Sequence, residues 1–330
     1  MRTRNLVTLV LCAVFVLVAT VAGLVAGSTG VSAPDVWAVL TGGEPSVASA
    51  SAIVQHVRVP RVEAALLAGA ALAVSGTVIQ TVLNNPLASP NIVGVNSGAG
   101  LAVLVCAALL PGVAFALPLA AFGGALITAL IIFAVAARGH GSRLTLVLVG
   151  IAVSTIFGAG MNTILIVAPD AYVGASTFLV GGLAGVRSTD LVWPAAFIAA
   201  GLVAALLGTK ALNVCLMGDD VALSVGMNVG RVRLVMLGVA ALLAGAAVSF
   251  AGLLGFVGLI VPHVMRLIVG NDLRVLVPAS ALAGAGFVCL CDVCARTLFA
   301  PYELPVGILM AFVGGPFFIW LVVRAKGGLE

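Results

Sequence analysis

Residues 6–26 read LVTLVLCAVFVLVATVAGLVA, an uncharged run that follows Arg2 and Arg4. At roughly 1.5 Å of rise per residue, a helix of this length is about what the hydrocarbon core of a bilayer requires. Further apolar runs recur at 62–82, 92–110, 115–137, 144–167, 191–209, 232–252, 256–269, 277–297 and 305–323, separated by short clusters of Gly, Pro and charge. The composition agrees, with 62% hydrophobic residues, 8% charged residues and a mean hydropathy of +1.29. A soluble core needs far less apolar content. A transmembrane barrel would show short alternating segments in place of long runs, and lipid leaves only helices otherwise. The sequence therefore predicts an all-α integral membrane protein of about ten transmembrane helices, residues 1–330 forming one transmembrane domain.

The first run exceeds the roughly 7 to 15 apolar residues of a secretory signal core, so it reads as an uncleaved first span. With Arg2 and Arg4 inside, an even number of spans puts both termini in the cytoplasm. That topology places Arg2, Arg4, Arg138, Arg143, Lys210, Arg231, Arg233, Arg266, Arg274, Arg324 and Lys326 inside, and Arg58, Arg61, Arg187 and Arg296 outside. The bias follows the positive-inside rule. Trp37, Tyr172, Trp193, Tyr302 and Trp320 all fall at span ends or in loops, where amphipathic rings settle at the interface. Small residues at four-residue spacing, Ala65, Gly69 and Ala73 or Gly150, Ser154 and Gly158, would let helices approach closely.

Several chemistries are excluded by what the sequence lacks. There is no G-x-x-x-x-G-K-[ST] phosphate loop, and Lys210 and Lys326 lie in no such context, so ATP hydrolysis would need a partner. No chain of mid-membrane acids suggests a proton relay, which argues against an ion-coupled secondary transporter. Asp292 stands four residues before Arg296, the spacing of an ion pair along one helix face. The six cysteines imply no disulfide framework. Cys289, Cys291 and Cys294 match no common metal spacing, so no metal or resident cofactor is expected, and a redox enzyme built on them is disfavoured.

Three segments remain. Asn84-Asn85-Pro86-Leu87-Ala88-Ser89-Pro90, before Gly94, packs Pro and Gly into a membrane-depth turn, which suits either a constriction on a transport path or a buried turn. Gly218, Asp219, Asp220, Val221, Ala222, Leu223 and Gly226 form a polar cytoplasmic stretch. Its acids favour a helix start and its glycine a helix end, making either a knob for a partner or a solvated connector. Arg58, Arg61 and Arg296 sit near outer span ends, as docking charges or as arginines snorkelling to headgroups.

The quoted residues resemble a known family. Val59-Pro60-Arg61 after Arg58, Gly69 to Ala73, Gln80, Asn85 to Pro90 and Gly94-Val95 are similar to the importer permeases for iron siderophores, haem and cobalamin. So are Gly255 to His263 with Arg266, Asp292 to Arg296, Glu303 to Gly307 and Gly315 to Phe318, which carry the resemblance along the whole chain. It implies a type II ABC importer permease architecture in the bacterial cytoplasmic membrane. Two permease subunits, identical or related, would surround a central path. Two ABC ATPases would bind ATP and Mg, and an extracytoplasmic binding protein would deliver the cargo, with no nucleic-acid partner. The cargo implied is a ferric siderophore, with haem or cobalamin in the same class, moved by alternating access.

By the same resemblance, Arg58, Arg61 and Arg296 dock the binding protein, and Gly218 to Gly226 is the helix coupled to the ATPase. Asn85, Pro86 and Leu87 form a gate, with Gly141 and Ser142 as a second gating position. Asn84, Phe178 and Leu253 depart from the pattern, replacing a charged residue, a tryptophan and a proline respectively.

Overall fold

In a computed structural model, residues 3–27, 30–90, 94–113, 115–138 and 143–326 are described. Among these residues every regular element is helical: α1 (Thr3–Val25), α2 (Ala33–Thr41), α3 (Ala50–Ile53), α4 (Val59–Val82), α5 (Val95–Leu109), α6 (Ala116–Arg138), α7 (Arg143–Val167), α8 (Asp170–Val180), α9 (Ser188–Leu207), α10 (Thr209–Leu216), α11 (Asp219–Ser224), α12 (Val229–Ala251), α13 (Val257–Val269), α14 (Leu273–Thr297) and α15 (Val306–Lys326). A π-helical turn, Val54–Arg58, joins α3 to α4 as one continuous rod.

Among the described residues, seven helices are long and apolar enough to span a membrane, and Val95–Leu109, Val257–Val269 and Val306–Ile319 are shorter apolar helices. Together they occupy the ten runs read from the sequence. The runs at 92–110 and 256–269 contract to the 15 residues of α5 and the 13 of α13, each well short of roughly 30 Å at about 1.5 Å per residue. Irregular backbone at 252–256 precedes α13, and neighbouring segments bond to its edges. The Gly182 N–H donates to the Ala251 carbonyl at 3.0 Å, the Leu253 N–H to that of Phe178 at 2.9 Å, and the Gly307 N–H to that of Gly181 at 3.1 Å. The end of α8, the break after α12 and the start of α15 thus satisfy one another's orphan backbone groups, which lipid would leave unpaired.

The core lies around α4, which packs on α12, α13 and α14. Its small residues are the reason. A methyl group at Gly69 would overlap the Gly284 carbonyl on α14, and one at Gly76 would overlap the Gly258 carbonyl on α13. Ala65, Gly69 and Ala73 are buried, as their spacing predicts. On α7, Ser154 meets Ser97 of α5 at 3.1 Å, whereas a Cβ at Gly158 would have no neighbour within 4 Å. The second small-residue stripe therefore makes only part of the expected close approach.

Candidate functional site

α4 carries Arg61 in its first turn and leads into the turn at Asn85, and the chemically active residues gather at these two ends. At the Arg61 end, Arg58 is 2% exposed, Arg61 5% and Arg296 2%. Arg61 Nε donates to both carboxylate oxygens of Asp292, at 2.9 and 3.0 Å, and Nη1 pairs with Glu303. Arg296 Nε lies 3.4 Å from Asp292 Oδ2, the four-residue ion pair read from the sequence, and its Nη2 donates to the Gly23 carbonyl at 2.7 Å. Arg58 Nη1 donates to the carbonyls of Leu24 and Val25, both at 2.8 Å. Gly23, Leu24 and Val25 form the last turn of α1, whose carbonyls have no partner within the helix. Two arginines cap it.

The expectation of exposed charge at Arg58, Arg61 and Arg296 is thereby corrected. Buried carbonyls and carboxylates hold these guanidinium groups more tightly than headgroup water would, because a charge-assisted hydrogen bond strengthens in a low dielectric. The cluster opens to solvent at Glu303, whose side chain is 33% exposed.

At the Asn85 end, α4 closes with a Schellman turn. Asn84 takes φ 47°, the Asn85 N–H reaches back to the Gln80 carbonyl at 3.0 Å, and the Asn84 N–H reaches that of Thr81 at 3.1 Å. Asn tolerates this left-handed position where most residues do not, which accounts for Asn84 in place of a charged residue. Asn85 Oδ1 accepts the Leu87 N–H at 2.9 Å, so its side chain builds the turn. Pro86 is exposed and Leu87 half-buried. Gly141 and Ser142 lie outside the described residues.

Gly218, at φ 108°, opens α11, and Asp219 and Asp220 occupy its first turn. Gly226 ends it at φ 77°, with the Met227 N–H donating to the Ala222 carbonyl at 3.0 Å. Ala222 is buried against the bundle while Val221, Leu223 and Val225 point outward. Two fastenings missed by sequence reasoning hold this platform. Arg233 of α12 pairs with Asp219 at 2.6 Å. Asn213 of α10 donates to Asp272 at 2.8 Å and accepts from the Leu273 N–H at 2.9 Å, tying α10 to the start of α14. The Asn213 amide, foremost, and the Arg274 N–H hold the Asp272 carboxyl below its ordinary range. Charge sign alone could have suggested the first pair; the second needs the fold.

The fold and these two ends define a polytopic helical membrane protein with a fastened, outward-facing short helix at one end and an internal ion cluster at the other. The chain belongs to the FecCD transport family, whose model matches residues 14–324. It is 38% identical over 281 residues to the hemin transport system permease protein HmuU of Yersinia pestis, covering 82% of this chain and 83% of that one. Against the cobalamin import system permease protein BtuC of Halobacterium salinarum it is 41% identical over 275 residues, 83% of this chain and 74% of that one. Against the iron(3+)-hydroxamate import system permease protein FhuB of Bacillus subtilis it is 38% identical over 306 residues, 92% and 79% of the two chains. A solved structure described as an inward-facing metal-chelate type ABC transporter superposes with a TM-score of 0.83 at 26% identity, covering 97% of this chain and 99% of that one.

Proposed function

We propose that this chain is the membrane permease subunit of an ATP-driven importer that carries a ferric siderophore into the cytoplasm by alternating access. It sits in the bacterial cytoplasmic membrane with both termini inside. A second permease subunit, two ATPases holding ATP and Mg, and an extracytoplasmic binding protein complete the machine. The chain has no phosphate loop, so nucleotide chemistry belongs to the partner.

The observation that carries this reading is α11. Val221, Leu223 and Val225 are exposed on and just after this short helix, which lies between the spans α9 and α12. Apolar surface in that position suits a protein partner; the pair Asp219–Arg233 connects α11 to α12, and the pair Asn213–Asp272 ties the preceding α10 to α14. A push on α11 therefore reaches the core helices against α4. The Asn85 to Leu87 turn, at the end of α4, is placed to act as the gate. Docking of the binding protein falls at the Glu303 edge of the ion cluster, since Arg61 is reached there.

The test is uptake of labelled iron, presented as ferric siderophores and as haem, and of cobalamin, in cells with and without the gene. Loss of siderophore uptake alone is expected. Loss of haem or cobalamin uptake would reassign the cargo within the family, and unchanged uptake of all three would overturn the reading.

A further inference from the structure

Gln80, His263 and Arg266 form a polar cluster inside the Asn85 end that the proposed function leaves unused. Gln80 is buried near the end of α4. Its Nε2 donates to the Gly258 carbonyl at 3.1 Å, and its Oε1 accepts from Arg266 Nη2 at 3.3 Å. His263 and Arg266, three residues apart on α13, share a face. The His263 ring meets Phe317 of α15 edge-on at 6.1 Å. His263 Nδ1 and Arg266 Nε are both buried with no hydrogen-bond partner in the protein.

Arg266 makes no ion pair among the described residues. The other arginines held within the fold differ: Arg61, Arg233 and Arg296 face carboxylates, and Arg58 donates to the backbone carbonyls of Leu24, Val25 and Val31. Arg266 has a neutral amide. A guanidinium held among apolar helices carries a desolvation cost that a neutral partner does not offset.

We propose that Gln80, His263 and Arg266 form an oxyanion site that takes a carboxylate or phosphate group. The ligand would accept from Arg266 Nε–H and from His263 Nδ1 when that nitrogen carries the proton. Because the Gln80 carbonyl accepts the Asn85 N–H at 3.0 Å, occupancy bears directly on the turn from Asn84 to Ala88. The same chemistry arrives from two sources, a lipid headgroup phosphate or a free carboxylate such as that of an anionic chelate. The site stands on its own geometry and does not depend on the importer reading.

The experiment measures the thermal unfolding midpoint of the purified full-length chain. In detergent, sodium phosphate and sodium citrate are titrated against sodium chloride at matched ionic strength. In nanodiscs, phosphatidylcholine is compared with phosphatidylcholine plus phosphatidylglycerol. We expect a saturable rise in at least one arm for the wild type, lost in Arg266→Gln. Gln80→Glu guards against a folding failure, because it places a carboxylate against Arg266 from within the chain; it should fold and lose the response. A rise with citrate or phosphate assigns a free anion, and a rise with phosphatidylglycerol alone assigns lipid. No anion-specific rise in any arm, or an undiminished rise in Gln80→Glu, overturns the site.

Discussion

Arg61 and Asp292, 231 residues apart in sequence, meet across the α4–α14 crossing, with Arg61 Nε 2.9 Å from one carboxylate oxygen and 3.0 Å from the other. Arg296 approaches the same carboxylate along α14, and Glu303 faces Arg61 from the next loop. Two cations and two anions balance there, while Arg58 and Arg296 hold the end of α1. The cluster therefore joins α1, α4 and α14 at one level.

Asp292→Ala should be among the most damaging single substitutions. It leaves Arg61 and Arg296 buried with a shared counter-charge removed, and breaking one partner of such a pair costs about 3–5 kcal/mol. The unfolding midpoint in detergent should fall sharply and expression should drop. A midpoint within a degree or two of the wild type would show that water enters the cluster freely.

Glu303→Gln tests where the binding protein docks. If the partner's carboxylates reach Arg61 by displacing Glu303, removing that charge should tighten binding severalfold, seen as a slower off-rate by surface plasmon resonance with the reconstituted complex. Weaker or unchanged binding would place docking away from this cluster.

The helices were legible because a bilayer imposes a length on apolar runs, and the Ala65, Gly69 and Ala73 stripe was legible because close approach needs small residues. Asp219 and Gly226 likewise mark the ends of α11 by helix-terminus chemistry. The burial of Arg58, Arg61 and Arg296 was not legible, since their partners lie 34, 231 and 273 positions away. Charge near a span end reads as surface until the fold brings an acid or an uncapped carbonyl beside it. The short helices α2, α8 and α10 escaped for another reason: none is long enough to leave a spanning run.

Gly69→Leu should separate α4 from α14. Helix propensity alone favours the change, since glycine in a helix interior costs about 1 kcal/mol relative to the best residues. Steric overlap dominates, however: even a Cβ would collide with Gly284 backbone, which cannot rotate aside. Loss of folded protein on size exclusion is expected. Gly158→Leu, where an added Cβ has no neighbour within 4 Å, should be tolerated by the single chain.

The Asn213–Asp272 tie predicts an acid-sensitive end. Asp272 has its folded-state pKa lowered, by the Asn213 amide first, then the Arg274 N–H and the Arg274 charge. Its contribution is therefore full above the ordinary aspartate value of about 3.9. It is lost as pH falls through that value toward the lower folded one. Hydrogen exchange at the start of α14 should speed up over that acid window. Asp272→Asn should flatten this dependence while keeping the helix cap.

Asp219 and Arg233, 2.6 Å apart, decide whether α11 transmits force or merely touches a partner. Asp219 is half-exposed, so the pair is worth little to overall stability, and Arg233→Gln should leave the unfolding midpoint nearly unchanged. Transmission is a different quantity. With α11 unfastened from α12, a push at Leu223 would tilt the short helix and leave α4 in place. Substrate-stimulated ATP hydrolysis in the reconstituted complex should then fall severalfold while basal hydrolysis persists. The exchanged pair, Asp219→Arg with Arg233→Asp, should recover part of the stimulation, because the contact re-forms with its charges reversed. Gly226→Pro, which cannot adopt the φ of 77° that ends α11, should abolish stimulation whether or not the pair is intact. Full stimulation in Arg233→Gln would reduce α11 to a docking knob and move the transmission to the α10–α14 tie.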